Sequence, residues 1–237
     1  MAERDTAPET DSAVLDAEAL ALLHAWLSPG YPTGAFAYSH GLEQAIADGQ
    51  IRDAASLEAW LSDILLHGAG RSEALLVAEA WSAPEDPGPA ERALALAASA
   101  ERRHETLAQG AAFLSVTEAV WTGSLTGADE ASVAYPVALG RAARRVGVPL
   151  APLLPLVLQA FVSNLVSAAV RFVPLGQTEG QQVLRALLPL CRQVADEARA
   201  AAARCSETPL DAHGTACFRS DIAAMRHETL ETRVFRT

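Results

Sequence analysis

Positive charge is scarce in this sequence: 18 Lys and Arg stand against 29 Asp and Glu, a formal net charge of −11. No Lys/Arg block stands out, which argues against a nucleic-acid partner, because phosphate binding needs a clustered positive surface. Aromatic residues make up only 5% of the chain, so any dense cluster of them is informative. There are three cysteines, Cys191, Cys205 and Cys217. The first twelve residues, MAERDTAPETDS, are polar and acidic and hold no apolar signal core. Reduced thiols in a cytoplasmic protein are therefore expected. Runs of β-branched residues with alternating polarity are missing, which argues against strands. No internal repeat recurs at a fixed period.

What is present favours helices. Half of the 237 residues are hydrophobic, mostly Ala and Leu, good helix formers and enough for a sizeable core. The spacing predicts an all-α fold: one compact domain of about eight to ten helices with flexible N- and C-terminal segments. Residues 1–12 read as a flexible tail, 13–220 as the helical domain and 221–237 as a C-terminal partner-docking segment. Ala19, Leu22, Leu23, Trp26 and Leu27 fall at helical spacing. The loop SPGYPTG follows, then a helix expected over residues 36–48 with Gly49 as its stop. Asp53 can cap a helix whose Leu57, Trp60, Leu61, Ile64 and Leu65 form one apolar face. Further helices are expected near 73–81, 90–104, 105–121 and 136–147, the last with Pro136 in its first turn. Residues 151–170 carry no charge and match the length of a membrane span. Pro152 and Pro155 open that stretch, and Gln159, Ser163, Asn164 and Ser167 form a polar seam along one side. A buried helix, or one at a subunit interface, fits the seam better than a membrane does. Val183, Leu184, Leu187, Leu188 and Cys191 mark another helix, with a kink expected at Pro189. Residues 208–220 read as irregular, with a short helix from Asp221.

Enzyme chemistry needs constellations that are missing here. There is no GxxxxGK[ST] phosphate loop, no GxGxxG after a strand and no GxSxG elbow. The segment His227-Glu228-Thr229-Leu230-Glu231 begins like the zinc motif HExxH, but Glu231 replaces the second histidine. His213 and Cys217, four apart with Cys205 upstream, are candidate soft ligands. A helical metal-binding protein or metalloenzyme built on His213, Cys217 and HETLE is the alternative reading. A closed site normally needs four ligands, so no metal site, no cofactor and no catalytic residue is expected.

Three segments carry more specific information. SPGYPTGAFAYSHGLE, residues 28–43, is a Gly/Pro-rich turn leading into Phe36, Tyr38, Ser39, His40 and Glu43. SNLVSAAVRFVPLGQTEGQ, residues 163–181, sets small residues before Arg171, then turns at Pro174 and reaches Gly176 and Gln177. A charge such as Arg171 inside an apolar run must be paired or lie at an interface. MRHETLETRVFRT, residues 225–237, holds Arg226, His227, Glu228, Arg233, Phe235 and Arg236. Left alone such a segment frays, so its apolar residues dock either on a partner or on their own domain. The first segment resembles the pattern SPxLPxGxFxYSxGLE of the urease accessory protein family UreF, the second its AxxRxxPLGQxxGQ, and the third its MRHExLYSRLFxS. The third match departs at Glu231-Thr232, where the family has Tyr-Ser.

The resemblance implies an all-helical homodimer that is not an enzyme. It implies binding to the accessory protein UreD (also called UreH), recruitment of the GTPase UreG, and delivery of nickel to apo-urease. It further implies a partner surface that includes Tyr38, Ser39, His40, Glu43, Arg171, Gly176, Gln177, Arg226, His227, Glu228, Arg233, Phe235 and Arg236.

Overall fold

The computed structural model describes residues 15–125, 133–204 and 213–237. The proposed tail at residues 1–12, Cys205 and the first part of the irregular segment at 208–220 lie outside them. Every regular element formed by the described residues is helical, with no strand among them, as the residue pattern predicts. The chain forms α1 (Ala17–Trp26), α2 (Leu42–Ala47), α3 (Ala54–His67), α4 (Ala69–Ser82), α5 (Gly88–Ala95) and α6 (Ala100–Thr117). Then follow α7 (Tyr135–Arg145), α8 (Leu150–Ala169), α9 (Gln177–Ala203) and α10 (Phe218–His227). α4 is the central element and packs against α3, α5, α7, α8 and α9, while α8 lies along α9.

Local chemistry sets most of these limits. Asp53 caps α3 in a reciprocal box with Ser56, and Leu57, Trp60, Leu61, Ile64 and Leu65 are all buried on the face their spacing defines. Three expectations are corrected. The helix expected over 36–48 is broken: a 3₁₀ turn, Ala35–Ala37, precedes an extended Tyr38, and α2 starts only at Leu42. His40 and Gly41 take φ of +56° and +76°, which no α-helix tolerates. Gly41 is required there, since a Cβ would stand 2.6 Å from the Ala224 nitrogen of α10. The second correction concerns the expected helices 90–104 and 105–121. Their boundary falls at Ser99, whose hydroxyl caps α6 by accepting from Arg102 N (3.1 Å), and residues Glu118–Thr122 wind as a π turn. The third is α10, which starts at Phe218 rather than Asp221. Pro189 lies inside the single continuous helix α9.

The core is close-packed at small residues. A Cβ on Gly140 of α7 would lie 2.5 Å from the Val77 carbonyl of α4. Alanine there gains helix propensity of up to about 1 kcal/mol. The clash is with rigid backbone, however, and overpacking of this kind costs about 1–3 kcal/mol. Gly140→Ala is therefore expected to lower the thermal midpoint; an unchanged or higher midpoint would show that α4 and α7 separate freely.

α8 is long and apolar enough to cross a membrane by length and composition, and 44% of its apolar stretch is buried in this fold. Its polar seam faces a cleft of about 540 Å³ between α1, the 3₁₀ turn and α8. His40, Glu73, Arg102 and Glu105 lie in that cleft, and Phe36, 61% exposed, stands among its lining residues.

Candidate docking site: the C-terminal segment and its seat

After His227 the chain leaves helical structure, and its last residues are held by carboxylates from two other helices. Glu43 of α2 accepts from two successive backbone amides, Val234 N to Oε1 (2.8 Å) and Phe235 N to Oε2 (3.0 Å). The same carboxylate faces His227 Nε2 at 3.2 Å, while His227 Nδ1 lies 2.8 Å from Glu101 Oε2 of α6. His227 is fully buried. Its ring can donate to both carboxylates only when both nitrogens carry protons. Arg233 closes on Glu101 from outside. Glu228 accepts from Ala100 N (2.8 Å), so a residue of the C-terminal segment caps α6, a favourable place for a negative charge. Arg226 reaches Asp48 at 2.6 Å on the exposed side.

The final residues go deeper. Arg236 N donates to the Ala37 carbonyl (2.8 Å), and Ser39 donates to the Thr237 carbonyl through both N (2.9 Å) and Oγ. Thr237 Oγ1 donates to Glu105 Oε2 at 2.8 Å, inside the domain. Phe235 is buried, its ring 5.4 Å from that of Phe172 and 5.8 Å from the guanidinium of the exposed Arg171. Arg171 thus resolves the cost of a charge in an apolar run by sitting at the surface over an aromatic face.

Glu105 anchors a buried charge cluster. Its Oε1 meets His40 Nε2 (2.8 Å) and Gln109 Nε2 (2.9 Å), and its Oε2 meets Arg102 as well as Thr237. Arg102 also pairs with Glu73 at 3.0 Å. Burial alone would raise the Glu105 carboxyl, but the Arg102 and His40 charges beside it hold it down to about 2. Burial outweighs Arg102 at Glu73 and pushes that carboxyl up.

The sequence-predicted residues therefore divide. Tyr38, Ser39, His40, Glu43, His227 and Phe235 are buried and form the seat or its plug. Arg226, Glu228, Arg233, Arg236 and Arg171 remain exposed. Gly176 and Gln177 are exposed and open α9, where Gly176 N donates to Glu179 (2.8 Å). The residues of the metal reading that lie among the described ones have other partners, and Cys205 lies outside them. His227 is committed to Glu43 and Glu101, Glu228 caps α6, and His213 meets Glu79 at 2.7 Å. Cys217 packs against Gly68. Among the described residues no three His, Cys, Asp or Glu are gathered to hold a metal ion. Sequence reasoning missed Glu101, Arg102, Glu105 and Thr237. The signal available was a dense charge run, ERRHE, right after a serine that can cap a helix.

The described residues form an all-helical domain whose buried ion pairs and hydrogen bonds hold its own C-terminal segment in place. The UreF family model matches residues 51–188. A protein named urease accessory protein UreF from Cereibacter sphaeroides strain KD131 is 54% identical over 219 residues, covering 92% of this chain and 99% of that protein. One of the same name from Roseobacter denitrificans is 50% identical over 230 residues, with 96% and 98% covered. Another, from Methylobacterium sp. strain 4-46, is 47% identical over 226 residues, with 91% and 88% covered. The chain belongs to the UreF family of urease accessory proteins, which are not enzymes.

Proposed function

We propose that this chain acts in urease maturation as a cytoplasmic nickel-insertion chaperone. It docks on UreD (UreH) through α10 and the C-terminal segment, recruits the GTPase UreG and modulates GTP-dependent nickel delivery to apo-urease. The observation that carries this reading is the outer face of α10. Phe218, Ile222 and Met225 recur at helical spacing and are 69%, 54% and 52% exposed, while Ala223, Ala224 and His227 on the opposite face are buried. Val234 of the C-terminal segment is a further apolar residue left in water, 70% exposed. Contiguous apolar residues left in water mark an interaction surface. The buried ion pairs beneath hold that surface in one shape before a partner arrives, which lowers the ordering cost of binding. On this reading Arg226, Glu228, Arg233 and Arg236 form the polar rim, with Arg171 beside them. Tyr38, Ser39, His40, Glu43, His227 and Phe235 keep the surface in place from inside, and Gly176 and Gln177 lie where α9 opens. The chain has no phosphate loop, so GTP chemistry falls to UreG, and nickel passes as cargo.

A homodimer is proposed from the cleft. α8 leaves much of its apolar length outside the chain's own core, and an exposed Phe36 stands beside a hollow large enough for such a side chain. A knob next to a hole on one surface is self-complementary about a twofold axis.

The test is co-purification with UreD of the double variant Phe218→Ser/Ile222→Ser and of a chain lacking residues 225–237. Surface changes like the first leave stability within about 0.5 kcal/mol. Both variants are expected to lose UreD; undiminished capture sinks the proposal.

A further inference from the structure

We propose that self-association through the cleft and seating of the C-terminal segment are thermodynamically coupled, so that each strengthens the other. The inference rests on the homodimer reading above and concerns its regulation. The last three residues touch the cleft at three separate places. At the floor, Thr237 Oγ1 supplies one of the donors that satisfy Glu105, whose other partners His40, Arg102 and Gln109 also lie in the cleft. At the mouth, the Phe235 ring lies beneath the Arg171 guanidinium, and Arg171 is part of the lining. At the rim, the 3₁₀ turn that carries Phe36 is pinned from both sides. Arg236 N holds its Ala37 carbonyl (2.8 Å), and Asn164 Nδ2 of α8 holds its Ala35 carbonyl (3.1 Å).

Withdrawing the C-terminal segment therefore changes the cleft without any residue of that segment having to touch the second copy. Glu105 loses a donor where it is buried, Arg171 loses the ring it covers, and the Phe36 turn loses one of its two ties. Shape and charge in the cleft are then no longer fixed, and the second copy must order them as it binds. Linkage makes the effect reciprocal: a dimer that needs an ordered cleft must also hold the segment down.

The experiment is sedimentation velocity on the full chain with wild type, Thr237→Val, Thr237→Ser, Phe235→Ala and Val234→Ser. It is joined by hydrogen exchange at the Val234 and Phe235 amides above and below the dimer dissociation constant. Thr237→Val is expected to weaken the dimer by about five- to tenfold, the lower range of typical coupling. Phe235→Ala should weaken it more. Thr237→Ser keeps the hydroxyl and should match wild type, as should the outward-facing Val234→Ser. The two amides are expected to exchange faster on dilution to monomer. A dimer constant indifferent to both Thr237→Val and Phe235→Ala, or exchange indifferent to dilution, overturns the coupling alone. A wild-type chain that stays monomeric at every concentration overturns the homodimer reading and the coupling with it.

Discussion

Glu43→Ala is expected to unseat the C-terminal segment and abolish capture of UreD. One buried carboxylate satisfies Val234 N, Phe235 N and His227 Nε2 together. Its removal leaves two amides and an imidazole without this acceptor, the Phe235 amide and the His227 ring in buried positions. Leaving a buried charge partner unpaired costs about 3–5 kcal/mol. The segment escapes much of that cost by detaching, because water can then satisfy all three donors. The helical core is untouched by this route, so the change should be local. Limited proteolysis after residue 227 checks the release, and thermal melting checks that α3, α4, α8 and α9 persist. Glu43→Gln keeps one acceptor oxygen and should retain part of the binding. A Glu43→Ala chain with an intact, protected segment would show that Phe235 burial alone holds the end.

The second large effect is expected at Arg102. Its guanidinium lies between Glu105 and Glu73 inside the domain, and both carboxylates depend on it. Arg102→Met fills similar space but leaves the acids without their main cation, at a cost of about 3–5 kcal/mol. Adding Glu105→Leu removes the stranded charge as well, and the double variant should recover much of that loss. The pH dependence separates this from a packing defect. In the native chain the Glu105 carboxyl is lowered from 4.5 to about 2, so its contribution is complete above its ordinary value. It is lost as pH falls from 4.5 towards 2. In Arg102→Met burial dominates at Glu105, the carboxyl rises, and acidification from neutral pH then favours the folded state. Urea midpoints across pH 3–7 should therefore fall less on acidification in Arg102→Met than in the native chain, the raised Glu73 carboxyl acting in the same direction in both. Parallel slopes would contradict the role assigned to Arg102.

Local signals in the sequence and long-range contacts divide the structure between them. α3 was legible because an aspartate cap and a five-residue apolar stripe act within a few residues of each other. Pro136 in the first turn of α7 and the charge-free run of α8 are local in the same sense. The break at Tyr38–Gly41 was not legible, because its cause is the backbone of Ala224 far along the chain. Ser99 was passed over because good helix formers stand on both sides of it, Ala and Leu before and Ala, Glu and Arg after. With the helix boundary set at residues 104–105 instead, Glu101, Arg102 and Glu105 were split between two expected helices and not singled out; α6 starting at Ala100 puts them on one helix. The C-terminal motif was visible as a segment that docks on a partner or on its own domain, with HETLE already short of a second histidine. His227-Glu228 looks like half of a metal site, but a histidine flanked by two carboxylates and a glutamate on a helix N-terminus are anchoring devices. The departure at Glu231-Thr232 falls where the segment is exposed, between its two anchored ends.

The most direct measurement for the account as a whole is a hydrogen-exchange comparison of the full chain alone and with UreD. Added protection is expected across α10 and residues 228–236, centred on Phe218, Ile222, Met225 and Val234, with α3 and the middle of α9 unchanged. Protection confined to other helices, with α10 and the C-terminal segment exchanging as in the free chain, would contradict it.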